Sequence, residues 1–494
     1  MKKVLLFLVD SMMPDVLEDC VKQRKAPAFQ FLMDRGEYVP DCVTVFPTMT
    51  ASIDCSLLTG VYPDQHTVPG LVWYDASSRK IINYINSTAM ITKIGIAHCA
   101  QNVLYDLNER HLSRDVKTIH EDLESCGFVT GSINVIAHRG NVQHSLHLPF
   151  ALQAATSFQL PQKVSGPTIF SMGTLVNPNI FRPIPWGFSQ SPIGSYGIND
   201  THAIDVLIEV VKSGKQPDFT LVYLPDNDHK LHRAPEQALD HLAAVDEQIV
   251  RFLNSFPSWE QALEENVLLF ISDHGQTQIG VDPIHNIDLQ QLLVPFRLHR
   301  IGCDIRKEDE VVICNNERMT YLYPLQEGLL NKVLDALAGE KRIDIIAWKE
   351  AEWVHVKTGG TERKLRFTKA GSQTDCYGNS WRLDGDLGVL DLDIGQDGII
   401  RFDNYPDALS RLYGALFART DPVVAVTAAP GYEFLSEYAP THLGGGSHGS
   451  LHKRDSLIPL LVVGAKQPIK RPARLVDLKE FIVNEVLARQ TVPR

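Results

Sequence analysis

Three aspartates, three histidines and one threonine stand where short apolar runs or a helical stretch meet polar residues or glycine: Asp10, Thr50, Asp228, His232, Asp273, His274 and His448. Asp10 closes the run Val4–Val9. Asp228 and His232 are four apart in Asp228-His229-Lys230-Leu231-His232, so a helix opening there puts both on one face. Asp226 is a competing carboxylate, without a histidine four residues on. Asp273-His274 follow the run Val267–Ile271. Being adjacent, they share one ion only if the backbone leaves strand geometry, which Gly275 permits. His448 lies in Gly444-Gly445-Gly446-Ser447-His448-Gly449, a backbone suited to close approach. Carboxylates and imidazoles in this mixture suit divalent transition ions.

Thr50 lies in Phe46-Pro47-Thr48-Met49-Thr50-Ala51-Ser52, ahead of Ile53–Leu58 and then Thr59-Gly60. This reads as a loop, a short helix and a glycine stop. A hydroxyl at a helix start is either an N-cap or part of an anion site, where free N–H groups and the positive dipole end point outward. Thr48 is the rival hydroxyl, and Thr50 is nearer the helix start. Two divalent ions against three carboxylates leave one positive charge, which favours an alkoxide and an anionic phosphoryl group.

Such residues need a scaffold that brings strand ends together. Five apolar runs supply it: Val4–Val9, Phe128–Ile136, Phe219–Leu224, Val267–Ile271 and Leu457–Val463. Continuous apolar runs of this length fit strands buried on both faces. Helical spacing recurs between them, at Ile204/Leu207/Ile208/Val211, at Leu239/Leu242/Ala243/Ile249/Phe252/Leu253, at Leu329/Leu330/Val333/Leu334/Leu337 and at Leu409/Leu412/Leu416/Phe417. Alternation of this kind predicts an α/β fold with a largely parallel central sheet flanked by helices. Ligands in such sheets bind beyond the carboxyl ends of strands. Residues 138–200, rich in Pro, Gly, Phe and Ser, and residues 300–405, with short alternating stretches and turn signals, read as insertions, the second a β-rich cap. The core is then 1–299 and 406–494.

Composition narrows the partners. The chain has 494 residues, 44% of them hydrophobic, and a net charge of −12. It has no Lys/Arg block, so a nucleic-acid polymer is not the expected partner; a small phosphorylated substrate is. Eight cysteines without a CxxC pair read as reduced thiols. The apolar run after Met1-Lys2-Lys3 is shorter than a signal-peptide core, and no run reaches a membrane span. A cytoplasmic protein is expected.

The order Asp10, Thr50, Asp228/His232, Asp273-His274, His448 resembles the alkaline phosphatase superfamily, most closely its nucleotide pyrophosphatase/phosphodiesterase branch. That branch has a Pro-Thr-x-Thr loop whose second Thr is the nucleophile, here Pro47-Thr48-Met49-Thr50. A Thr-Gly-x-Tyr-Pro-x-x-His stretch follows, here Thr59-Gly60-Val61-Tyr62-Pro63-Asp64-Gln65-His66. The resemblance covers roughly 1–100, 215–290 and 435–465. It implies an alkaline phosphatase-like core and two divalent ions, zinc first and manganese second. One ion would take Asp228, His232 and His448. The other would take Asp10, Thr50, Asp273 and His274. It implies hydrolysis of phosphate esters through a phospho-threonine on Thr50, as in type I phosphodiesterases. The chain departs from the branch in two places. Thr50 is followed by Ala51-Ser52-Ile53 instead of Phe-Pro-Asn, and Leu71 stands where the branch has a phosphate-binding Asn.

Other readings stay open at this point. The ending Gly446-Ser447-His448-Gly449-Ser450-Leu451 with Arg454-Asp455-Ser456 is similar to the cofactor-independent phosphoglycerate mutases. A phosphomonoesterase, a phosphonate hydrolase, a phosphomutase or a non-catalytic phosphate binder would share these ligands. Gly445-Gly446-Ser447-His448-Gly449 also fits the nucleophile elbow of serine hydrolases, but no strand precedes it, and the only later histidine is His452, five residues on. There is no P-loop.

Overall fold

The computed structural model describes residues 2–148, 150–156, 160–178 and 197–488. All five apolar runs form strands of one seven-stranded sheet. Its strands are β1 (Lys3–Val9), β2 (Glu37–Val43), β3 (Thr130–Ile133), β4 (Ile169–Ser171), β5 (Phe219–Leu224), β6 (Asn266–Ile271) and β7 (Leu457–Val463). The order is β2-β7-β6-β1-β5-β3-β4. β1 pairs in parallel with β5 and β6, and β3 with β5 and β4. β7 runs against both β6 and β2.

β1 shows why the sheet is two-sided. Val4, Leu6 and Leu8 join one buried cluster, with Ile53, Leu57 and Leu58. Leu5, Phe7 and Val9 join another, with Ile204, Leu207, Val245 and Ile249. Alternate side chains of a strand leave opposite faces, so an unbroken apolar run needs helices on both sides. Burying each such side chain contributes roughly 1.5–3 kcal/mol. The four helical stripes are the helices Asp200–Lys212, Ala238–Leu253, Leu329–Ala338 and Ala408–Phe417.

The reversed strand has a functional consequence. β1, β5 and β6 end at one edge of the sheet. Ile271 at the end of β6 faces Leu460 near the start of β7, and Val43 at the end of β2 faces Leu457. The loop before β7 and the loop after β2 therefore open at that same edge. All seven candidate residues leave from it.

A second sheet of nine strands spans Val311–Asn316 to Val424–Ala428. The stretch 300–405 is β-rich as expected, and the sheet runs past it: Val424–Ala428 lies between Met319–Pro324 and Ile343–Glu350. One face packs with Phe46, Val72 and Leu451 from the core. The other covers Ile287, Leu289 and the helix Leu329–Ala338. Within 138–200, β4 completes the edge of the central sheet, and Val142–Ser145 pairs with Lys163–Gly166. Residues 179–196 of that stretch lie outside the described residues.

Candidate active site

Asp10 follows β1 directly, and its amide donates to the Leu224 carbonyl (3.0 Å), which places it between β1 and β5. Tyr223 donates its hydroxyl to one carboxylate oxygen of Asp10. The other oxygen, Oδ1, is buried and has no hydrogen-bond partner among the described residues, and the same is true of His274 Nε2. These two orphaned atoms lie 3.6 Å apart. His274 Nε2 is also 3.4 Å from Asp273 Oδ2, and Thr50 Oγ1 is 3.4 Å from that same oxygen.

Asp228 and His232 lie on α2 (Asp226–Leu231) and its C-cap, joined by the helical bond from the His232 amide to the Asp228 carbonyl (3.0 Å). Their side chains meet, Nε2 to Oδ2, at 3.2 Å. His448 Nε2 lies 3.9 Å from Asp228 Oδ1, and the His448 ring stacks on His274 at 3.7 Å. Asp226 is elsewhere: its amide is bound to Asp200.

The three imidazoles are oriented alike. The Nδ1 of His232 bonds the Gly446 carbonyl (2.8 Å), that of His448 the Thr48 carbonyl (2.7 Å), and that of His274 the Gly275 carbonyl (3.2 Å). A carbonyl accepts only, so each Nδ1 carries a proton and each Nε2 faces the cluster, where its lone pair is open to an ion once that nitrogen is unprotonated. A tetrahedral ion with bonds of about 2.0–2.2 Å sets its ligand atoms about 3.3–3.6 Å apart. Most of the distances above match that edge and exceed a hydrogen bond. Orphaned atoms, imidazole orientation and ligand spacing all fit divalent ions.

Glycines permit the approach. A Cβ on Gly445 would lie 2.0 Å from the His232 carbonyl oxygen, and one on Gly449 2.5 Å from that of Asn316. Gly275 also serves close packing: its φ is not left-handed, and a Cβ there would lie 2.3 Å from the Arg454 carbonyl.

Thr50 is the first residue of α1 (Thr50–Thr59), which ends at the left-handed Gly60. Met49 is the N-cap, so the Thr50 hydroxyl does not cap. It is half-buried. Thr48 is fully buried, its hydroxyl donating to the Ser450 carbonyl (3.2 Å) and accepting from the Gly449 amide (2.8 Å). Leu71 offers no side-chain donor, and its amide is bound to Asn316 Oδ1 (3.0 Å).

Four participants were not singled out from the sequence. Ser11 takes a left-handed φ of 55°; its hydroxyl donates to Asp228 Oδ1 (2.7 Å) and its amide to Asp273 Oδ1 (3.1 Å). Gln276 donates to Asp228 Oδ1 (2.5 Å). Asn227 holds the carbonyls of Asp10 and Ser11 (2.9 and 3.0 Å). The fourth is Glu317, from the cap. It lies 3.9 Å from His232 Nε2 and 3.6 Å from His448 Nε2.

The charges respond to this crowding. Burial, with Asp273 and Asp228 nearby, pushes the Asp10 carboxyl well up. Burial would also raise Asp228, but His232, His448 and His274 outweigh it and hold it well below the usual range. His232 is pushed up to about 10: burial opposes its charge, and Asp228 and Glu317 overcome burial. Without a cation, protonated His232 answers these carboxylates, so ion binding must displace its Nε2 proton.

The sequence matches the family of type I phosphodiesterases / nucleotide pyrophosphatases over residues 4–451. No curated protein matches it. Among solved structures, it resembles an inactive form of murine ectonucleotide pyrophosphatase/phosphodiesterase 5 in complex with AMP. The TM-score is 0.58 at 16% identity, over 99% of this chain and 95% of that one. The human protein of that name gives 0.58 at 15%, over 98% and 95%. Phosphonoacetate hydrolase from Sinorhizobium meliloti 1021, in complex with phosphonoformate, gives 0.55 at 12%, over 98% and 96%. Among the described residues no helix is long and apolar enough to cross a membrane. This chain belongs to the type I phosphodiesterase / nucleotide pyrophosphatase family, within the alkaline phosphatase superfamily of phosphoric ester hydrolases.

Proposed function

We propose that the chain hydrolyses small phosphate diesters, of the nucleotide pyrophosphatase type, through a phospho-threonine intermediate on Thr50. The observation that carries this reading is the convergence of three Nε2 lone pairs and three aspartates beside one half-buried hydroxyl. Asp228, His232 and His448 would hold one divalent ion, and Asp10, Thr50, Asp273 and His274 a second; zinc is the first choice and manganese the next. Such a pair supplies positive charge and Lewis acidity to the attacking and leaving oxygens.

The chain's own residues do the rest. Asp273 Oδ2 lies beside Thr50 Oγ1 and orients the hydroxyl. The Ser52 and Ile53 amides bond the Met49 carbonyl; the Thr50 and Ala51 amides before them, at the first turn of α1, would receive phosphoryl oxygens. Thr48 is occupied in holding the His448–Ser450 loop, which leaves Thr50 as the nucleophile. AMP in the murine neighbour favours a nucleotide-like substrate. The cap, and the 138–200 stretch beside the sheet edge, would choose among substrates. We place the reaction in the cytoplasm, since all eight cysteines are free and Cys126 and Cys303 are exposed.

A turnover panel on zinc-loaded protein tests this: an aryl phosphodiester, an aryl phosphomonoester and a phosphonate ester. The diester should turn over fastest, and elemental analysis should find two ions per chain. Fastest turnover of the monoester or phosphonate reassigns the substrate class. Undiminished turnover in strong chelator, with under one ion per chain, overturns the metal reading.

A further inference from the structure

At the histidine cluster the cap meets the core through a tight hairpin. Its strands are Val311–Asn316 and Met319–Pro324, with Asn316 opposite Met319, so Glu317-Arg318 form a two-residue loop. Glu317 has φ 63°. Hairpin loops put Gly, Asn or Asp at such a position, and a bulky side chain there costs of order 1–3 kcal/mol, tolerated only where the surroundings impose it. The surroundings do impose it. The Glu317 carbonyl accepts from the Phe434 amide, and the Arg318 amide donates to the His448 carbonyl. The Arg318 guanidinium is fully buried against Asp455 and Thr277.

This strain aims a carboxylate into the histidine cluster. Glu317 is 7% exposed. Its Oε2 accepts from Ser447 Oγ (3.0 Å) and the His448 amide (3.3 Å). The same oxygen is 3.6 Å from His448 Nε2, and Oε1 is 3.9 Å from His232 Nε2. The last two separations are too long for hydrogen bonds. They are close to those between atoms sharing one ion. His232, Glu317 and His448 together form a ligand-sized group.

We propose that Glu317 is a further ligand of the ion held by Asp228, His232 and His448, delivered by the cap; this rests on the two-ion reading above. It adds a fourth carboxylate to Asp10, Asp228 and Asp273, so two divalent ions are neutralised before Thr50 ionises. A neutral site favours the singly charged diester over the doubly charged monoester. The cap thereby sets substrate charge through the metal as well as through contact.

The test compares wild type, Glu317→Gln and Glu317→Asp. Zinc is titrated in competition with a chromogenic chelator, and each variant's fold is checked by circular dichroism. Glu317→Gln keeps an acceptor for Ser447 and His448 but loses the anionic ligand. One of its two ions should bind at least ~10-fold more weakly, the scale of a lost metal-site interaction, with Glu317→Asp between it and wild type. Its monoester-to-diester rate ratio should rise about tenfold, as one less negative charge close to the phosphoryl group predicts. Two ions in wild type and unchanged zinc affinity in Glu317→Gln would overturn the proposal and leave the two-ion reading standing. Under one ion in wild type would instead overturn that reading, and this proposal with it. A zinc-loaded crystal structure decides without variants: Glu317 Oε at about 2.0–2.2 Å from the ion supports it, and a carboxylate beyond bonding distance refutes it.

Discussion

Asp273 and Glu317 reach the same cluster by different routes. Asp273 follows β6, a strand with every residue buried, and its position comes from the sheet. Glu317 comes from a hairpin turn of a separate sheet, held in a strained conformation by buried Arg318 and by backbone bonds to Phe434 and His448. The core places its cluster residues by the common ending of several strands. The cap places its own by docking one turn into the loop around His448. Chemistry built on the core therefore should survive cap changes in kind, while affinity and substrate choice should not.

The largest effect tests the core. Thr50→Ala should lower kcat at least ~10³-fold, the scale on which loss of a covalent nucleophile is felt, with both ions retained. Thr48→Ala should cost far less in kcat, because its hydroxyl only braces the loop. Mass spectrometry of quenched turnover should find phosphate on Thr50. Phosphate on Thr48, or near-normal turnover of Thr50→Ala, would move the chemistry away from the start of α1.

The next tests the docking. Arg318 and Asp455 are both fully buried and paired, with further bonds from Arg318 to the Tyr432 and Ala428 carbonyls. Arg318→Ala leaves Asp455 charged and without its partner, and should destabilise by about 3–5 kcal/mol. Replacing both by apolar residues should cost much less. Urea denaturation measures each. A loss below about 1 kcal/mol for the single variant would mean that the turn is not pinned.

These two regions also differ in how plainly the sequence announces them. Unbroken runs such as Val4–Val9 specify buried strands, and the polar residues after them fall at one edge, so the seven core residues could be found together. The reversal of β7 was not legible, because an apolar run carries no direction. Ser11, Gln276 and Asn227 act by hydrogen bonding to Asp10, Asp228 and Asp273, and single polar residues beside a motif carry no periodic signal. Glu317 was least visible. Asn315-Asn316-Glu317-Arg318 reads as a polar turn, and only the docked partner shows that its strain has a use. The available signal was a glutamate at a hairpin position that favours Gly, Asn or Asp.

The smallest effect is in pH dependence, at two buried groups of the core. In the core, His120 is fully buried against Phe219, and burial pushes it down to about 3 from an ordinary 6.5. The unfolded chain then binds the proton that the folded chain refuses, so this stability is complete above about 6.5 and is lost as pH falls. By pH 5 the loss is about 2 kcal/mol, since each unit is worth about 1.4 kcal/mol. Asp407, which leads into the helix Ala408–Phe417 beside the cap strands, is the reverse. Burial outweighs Arg474 and Tyr62 and raises it to about 6. The folded chain holds that proton better, so this contribution is present below about 3.8 and is lost as pH rises through 6. Between pH 5 and 7 it amounts to about 1 kcal/mol. Urea denaturation at pH 5, 6 and 7 should therefore show opposite departures from wild type. His120→Leu should lose less stability than wild type on acidification. Asp407→Asn should lose less than wild type as pH rises from 5 to 7. If both variants track the wild-type pH profile in parallel, burial of these two groups is not what ties folding to protonation.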